Sequence, residues 1–265
     1  LESGGRSFDI EAQELNKSLV SGRAHKGVHE GRARVLGGTT TLWGGQLAKF
    51  REIDFVERDW LGLAEWPVKL SDVEPYYRLV DEHLGLPDHE GEELWGSGSQ
   101  EPPSLGPKLQ LFFTRWLRRT NFARLFARSL SRTGNVDVLL HACVTELDID
   151  QNAEYIVRAR TLNGVSRTLH SRYIFICPGT PEASRLLLNS ARLNPTLPWA
   201  GNKWVGACFQ DHLDLRAARI TVKDAKRFSN TFDNFYRGGV KYQPKIWLQS
   251  NLQAQDKLLN VAASI

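Results

Sequence analysis

The chain has 265 residues, of which 41% are apolar and 24% charged, with 34 basic against 30 acidic side chains. That length and apolar share suffice to bury a core in one large domain or two interleaved ones, and the near balance of signs is a mixed surface, which excludes a broadly basic nucleic-acid binder. No stretch approaches the roughly 20 consecutive apolar residues that span a bilayer, and the opening LESGGRSFDI lacks the basic-then-apolar order of a secretion signal.

In chain order, Leu1-Glu2-Ser3-Gly4-Gly5 reads as the end of a strand already under way; with no methionine anywhere, the natural N-terminus is expected upstream. Residues 6–30 are polar and irregular, and residues 31–45 concentrate glycine, threonine and two arginines. Ser71-Asp72-Val73-Glu74 is a capping-box pattern that predicts a helix with Leu79 and Val80 on one face, ended by Gly85 and Pro87. Residues 86–107 collect Pro, Gly, Ser and acidic residues and predict a long surface loop. Residues 115–132 place six arginines around Trp116, Phe122, Leu125, Phe126 and Leu130. They read as a basic amphipathic helix, either packing its apolar stripe on the core or offering its arginine face to RNA or anionic lipid.

From Val136 the period changes. VDVLL, CVTELDI, EYIVRART and RTLH alternate or are β-branched, and YIFIC is a short apolar run, so consecutive strands are predicted. YIFIC leads into Pro178-Gly179-Thr180-Pro181 and then EASRLLLNS, with Thr180 placed to cap and Pro181 in the first turn. Strand, turn and helix form the unit of a doubly wound sheet. Strand-like segments return at residues 215–222 and 239–248, with a helix expected from Leu252 onward.

Several residues carry candidate chemistry. Glu2, ending a strand ahead of Gly4-Gly5, stands where a dinucleotide-binding fold places the acid that accepts from ribose hydroxyls. In Arg34-Val35-Leu36-Gly37-Gly38-Thr39-Thr40, glycine N–H groups, threonine hydroxyls and an arginine suit a pyrophosphate and a ribityl chain, while a glycine-rich hairpin with solvated threonines is the plainer alternative. Trp43-Gly44-Gly45 sets an indole beside two close-approach positions, a plausible wall for a flat ring. Cys143, Cys177 and Cys208 lack disulfide or zinc spacing, and the histidines His25, His29, His83, His89, His141 and His170 show no ligand pair, so no metal site is expected.

These residues together resemble the glucose–methanol–choline oxidoreductases. Arg34, Leu36-Gly37-Gly38-Thr39-Thr40, Trp43, Phe50-Arg51, Asp54-Phe55 and Trp60 resemble the family's first signature, and Trp66-Pro67-Val68 with Glu74-Pro75-Tyr76-Tyr77 and Leu84-Gly85 is similar to the helix after it. Ala142-Cys143-Val144-Thr145-Glu146-Leu147 resembles the strand whose valine main chain holds adenine. Residues 173–181 with Ala183-Ser184-Arg185-Leu186-Leu187-Leu188 resemble the second signature, and Val205-Gly206, Phe209 and Asp211-His212 resemble a short Asp-His motif. The matches keep family order over nearly the whole chain.

What the resemblance implies is an α/β fold with an incomplete Rossmann-like FAD-binding domain in pieces at residues 1–60 and 134–214, a helical and loop insertion at 61–133, and the start of a substrate-binding sheet domain at 215–265. It implies FAD, held through Glu2, Arg34, Gly37, Gly38, Thr39, Thr40, Trp43, Gly44, Gly45, Val144, Pro178 and Gly179, and oxidation of an alcohol or sugar hydroxyl by hydride transfer to the flavin, with an electron acceptor left open. Sugar-oxidising relatives attach the flavin to a histidine; Leu42 stands at the matching position, so FAD is expected to be non-covalent. The catalytic base belongs to the family's C-terminal third, expected beyond Ile265, and His212 is expected to be structural, bonding Asp211 or main chain. A degenerate nucleotide-binding or interaction module is the alternative. The residues by themselves are expected to be inactive and poorly stable, and the odd cysteine count leans towards the cytoplasm.

Overall fold

The computed structural model describes residues 1–87 and 105–265, so most of the loop expected over residues 86–107, with His89, lies outside the described residues. The chain divides into two units, one of residues 1–43 and 121–217, the other of residues 44–120 and 218–265.

In the first unit, Asp9 caps helix α1 (Ile10–Glu14) by accepting the Glu11 N–H, and the four-residue α2 (Gly27–Glu30) follows. Asn121 caps α4 (Phe122–Leu125), and α5 (Ala127–Arg132) begins after a break at Phe126. Strands β3 (Cys143–Ile149), β4 (Tyr155–Arg160) and β5 (Ser166–Ser171) form an antiparallel meander. Helix α6 (Thr180–Leu193) starts after Gly179, with Pro181 in its first turn where no N–H is needed. Its Leu186 packs with Leu147 and Val157 into a buried cluster that Val144, Leu169, Ile174, Leu187 and Trp199 surround. Leu187 and Leu186 are neighbours in sequence yet both join the cluster, because Trp199 covers the flank and donates its indole N–H to the Leu187 carbonyl at 3.0 Å.

In the second unit, strand β1 (Gln46–Leu47) pairs with β2 (Leu109–Trp116), β2 with β7 (Val240–Leu248), and β7 with both β6 (Phe235–Arg237) and β8 (Ala262–Ala263), all antiparallel. Tyr242, Gln253 and Val240 are its most deeply buried side chains. Helix α3 (Leu70–Leu84) starts one residue before Ser71, because the Asp72 carboxylate accepts the Lys69 N–H at 2.9 Å, and ends at Gly85 with φ +67. Leu79 and Val80 are half exposed; the buried residue of α3 is Asp81, held by Arg115 at 2.9 Å. Helices α7 (Ala225–Phe232) and α8 (Ser250–Gln255) complete the unit.

Several expected elements differ. Arg115 and Trp116 belong to β2, and the remaining arginines of the expected single basic helix fall on the short helices α4 and α5 or the turn before them. Residues 136–140 and 215–222 form no strand, and the second stretch lies exposed, Leu215 at 71%. Tyr173 to Cys177 has no ladder partner among the described residues, with Phe175 88% exposed. Every strand pairing among the described residues is antiparallel; residues 2–4 and 139–142 also exchange single main-chain bonds, Glu2 N–H donating to Leu139 O and Glu2 O accepting from Ala142 N–H.

Candidate functional site

The first unit gathers most of the residues singled out by sequence. Helix α1 presents Gln13, whose side-chain amide bonds the Arg34 main chain both ways, donating to its carbonyl at 2.7 Å and accepting its N–H at 3.1 Å. Asn16, 2% exposed, donates to the Arg32 carbonyl and accepts from Arg34 Nε at 2.7 Å. Two amides thus hold residues 32–34 straight without a neighbouring strand. Gly4 has no room for a side chain there, since a Cβ would stand 2.0 Å from the Arg34 carbonyl oxygen.

The straightened segment aims Arg32 and Arg34 at Glu182, in the first turn of α6. Arg32 reaches Glu182 Oε1 at 2.9 Å, Arg34 reaches Oε2 at 3.0 Å, and Arg185 reaches Oε2 at 2.7 Å. Burial pushes the Glu182 carboxyl up, but hydrogen bonds from Arg32 and Arg185 and the charge of Arg34 outweigh it and hold the pKa at about 2. Arg34 also donates to Ser3 Oγ at 3.1 Å, and Ser3 Oγ donates to Glu2 Oε1 at 3.3 Å. A continuous polar chain therefore runs from Glu2 through Ser3, Arg34 and Glu182 to Arg185. The Gly4 N–H also donates to Glu2 Oε1, at 2.7 Å, so both bonds recorded for this carboxylate fall on one oxygen.

The glycine–threonine segment is a single 3-10 turn, Gly38–Thr41. Gly37 enters it with φ +97, and a Cβ there would press on Ala123 at 3.0 Å. All three threonine hydroxyls are engaged: Thr39 accepts the Ala33 N–H, Thr40 donates to the Gly37 carbonyl and accepts the Phe122 N–H, and Thr41 donates to the Gly38 carbonyl. Gly38, with φ +56, faces open space. Leu42 is 56% exposed, and Trp43 meets Phe122 edge to face at 5.8 Å. Gly44 and Gly45 belong to the second unit, where their lack of a side chain has a packing cause: Cβ atoms would stand 2.7 Å from the Trp116 ring and 2.6 Å from the Thr120 methyl.

Val144 is half-buried beside the Leu147 cluster, and Pro178 and Gly179 form the exposed turn before α6, with Gly179 at φ +81. That turn borders a cavity of about 770 Å³ between α6 and residues 206–210. Thr180, Ser184, Arg185, Asn189 and Arg192 supply its polar wall, and Leu188 and Phe209 its apolar one. Gly206 is forced by this wall, since a Cβ would meet Leu188 at 2.7 Å. The volume falls in the range of small-ligand sites, and two guanidinium groups with the first turn of a helix favour an anionic ligand bearing an apolar part.

Beside the cavity, His25 Nε2 lies 2.8 Å from Asp211 Oδ2 and its ring meets Phe209 at 5.4 Å. Asp211 is held below the ordinary carboxylate range, first by the His212 N–H at 2.7 Å and then by His25. His212 thus contributes main chain to Asp211, and the imidazole facing that carboxylate is His25. Nothing in the sequence marks His25, because its partner is 186 positions away; the cavity itself joins α6 to the loop of the short Asp-His motif, and no local pattern showed that Gly206 and Phe209 would line a cavity with that helix.

No family model and no solved structure matches this chain. Two proteins from different strains of Staphylococcus epidermidis, each described as oxygen-dependent choline dehydrogenase, are 24% identical to it over 262 residues. The similarity takes in 80% of this chain and 43% of each relative, so the chain spans less than half the length of the curated proteins it matches. The chain is thus distantly similar to alcohol oxidoreductases.

Proposed function

We propose that the protein carrying this chain is an FAD-dependent oxidoreductase of the glucose–methanol–choline type, acting on the CH–OH group of an alcohol or sugar, and that these residues supply part of its Rossmann-like cofactor domain and the start of its substrate-binding sheet. The observation that carries the reading is the distant similarity to choline dehydrogenases along 80% of the chain. The first unit is compatible with FAD. Glu2 has one carboxylate oxygen with no hydrogen bond among the described residues, Gly38 and Gly179 leave open space where a side chain would stand, and the cavity at α6 sets Arg185 and Arg192 beside an apolar wall. Bound there, FAD would supply the hydride acceptor.

The chain's own residues then divide the work. Glu2 accepts from sugar hydroxyls of the cofactor. Arg34 does not reach for phosphate; it braces Glu2, through Ser3, against Glu182. Gly37 and Thr39 to Thr41 fix the turn, in which the Gly38 N–H is given to the Val35 carbonyl and space is left open where a side chain would stand, and Val144 backs the cluster beneath. Leu42 has no nucleophile or ring nitrogen to offer, so the flavin is held without a covalent bond. No described residue is assigned the catalytic base.

A second reading, a nucleotide-binding module without turnover, draws on one observation: Arg34 and all three threonine hydroxyls are already committed within the protein. Turnover separates the two. Under anaerobic conditions, choline or a member of a panel of sugars is expected to bleach the flavin of the purified protein. Bleaching by dithionite with no response to any CH–OH donor would favour the module.

A further inference from the structure

The antiparallel meander of the first unit carries a cluster that the redox reading does not use. The turn from β3 to β4 is closed by Asp150, whose N–H donates to the Glu154 carbonyl at 2.9 Å and whose Oδ1 accepts the N–H groups of Asn152 at 2.8 Å and Glu154 at 2.9 Å. Those bonds hold the carboxylate by Oδ1 and leave Oδ2 without a hydrogen bond among the described residues. On β5, His170 stands opposite Ile156 of β4, and Glu154 lies two residues before Ile156. The period of two puts Glu154 and Ile156 on the same side, and the diagonal neighbour across an antiparallel pair is within reach of long side chains. One ligand atom from each of Asp150, Glu154 and His170 accordingly lies within 4.8 Å of the others.

Neither carboxylate has an ion-pair partner among the described residues, whereas Glu146 and Asp148 on the same hairpin share Arg158 at 2.6 and 3.4 Å. Two neighbouring carboxylates without a cation repel each other. A divalent ion removes that repulsion and recruits the imidazole.

We infer that Asp150, Glu154 and His170 bind one divalent transition-metal ion that ties the β3–β4 turn to strand β5. One imidazole nitrogen and two carboxylate oxygens suit Zn²⁺ or Mn²⁺, with water completing the shell. Metal–ligand bonds of about 2.0–2.2 Å require the three donor atoms to draw in by roughly 1 Å, a shift that the exposed His170 and half-buried Glu154 side chains supply by rotation while Asp150 stays fixed. The triad left no sequence signal because its i, i+4 acidic pair spans a hairpin turn and its histidine comes from the next strand.

The test is titration of the metal-free protein with ZnCl₂ by calorimetry, and with MnCl₂ by electron paramagnetic resonance. The expected result is one equivalent bound, with Glu154→Gln and His170→Ala each weakening it at least about tenfold. Glu154→Gln keeps the side chain's shape and the main-chain bonds of the turn, so it serves if His170→Ala fails to fold. No binding at millimolar metal, or binding that Glu154→Gln leaves unchanged, overturns the inference. Flavin content plays no part in either readout, so the result stands apart from the redox reading.

Discussion

Glu182, 8% exposed and set among three guanidinium groups, ties the segment that carries Arg34 to helix α6. Its folded pKa of about 2 lies below the ordinary 4.5, so folding favours the ionised carboxylate. The stabilisation is therefore fully present above about pH 5 and is lost as the pH falls from there towards 2. The difference amounts to about 3 kcal/mol. In denaturant titrations, Glu182→Gln is expected to fall below the wild type by about that much at pH 7, and the two curves should converge only as the pH falls to about 2. Parallel curves across that range would remove Glu182 from the account. At this scale the sequence marked Arg34 as important but for a different partner, because a buried carboxylate 148 positions away leaves no local pattern; the glycine and threonine positions were visible, but not that the hydroxyls close their own turn.

Helix α6 is joined to the meander by more than apolar contact. The outer edge of β3 has no strand beside it among the described residues, and α6 takes its place: Asn189 donates to the Thr145 carbonyl at 3.0 Å, and Ser190 Oγ accepts the Leu147 N–H at 2.9 Å while donating to the Leu186 carbonyl. Ser190 is fully buried. Ser190→Ala strands the Leu147 N–H away from water and is expected to cost roughly 1–3 kcal/mol in chemical denaturation, against less than about 0.5 kcal/mol for Ser129→Ala on the exposed face of α5. A cost for Ser190→Ala no larger than that control would mean that the strand edge is satisfied otherwise. The helix itself was legible, since Thr180-Pro181 and the spacing of its leucines mark start and face. Strand β2 was not. Only its last two residues, Arg115 and Trp116, fell within the helix expected over residues 115–132, where the arginines at 118, 119 and 124 continue a helical rhythm; Leu109 to Thr114 carried no strand reading, and pairing with β7 decides it.

At the scale of the molecule, length and apolar share left one large domain or two interleaved ones open, and the chain divides into two units. The joints fall elsewhere than expected: residues 44–60 join the second unit and residues 121–133 the first. Neither shift has a compositional mark. The first depends on pairings such as Gln46 with Trp116, and the second on contacts such as the Phe122 N–H with Thr40 Oγ1, which only the folded chain reveals. The parallel FAD-binding sheet remains part of the proposal, to which Tyr173 to Cys177 would contribute a strand. No helix among the described residues is long and apolar enough to cross a membrane.

The central claim, that these residues belong to a flavoprotein with a non-covalent cofactor, is tested most directly by the absorbance spectrum of the gently purified protein before and after acid precipitation. The account predicts oxidised-flavin bands that pass into the supernatant, because Leu42 offers no atom for a covalent link. Flavin retained in the pellet would contradict the non-covalent assignment, and a colourless protein that takes up no added FAD would contradict the flavoprotein itself.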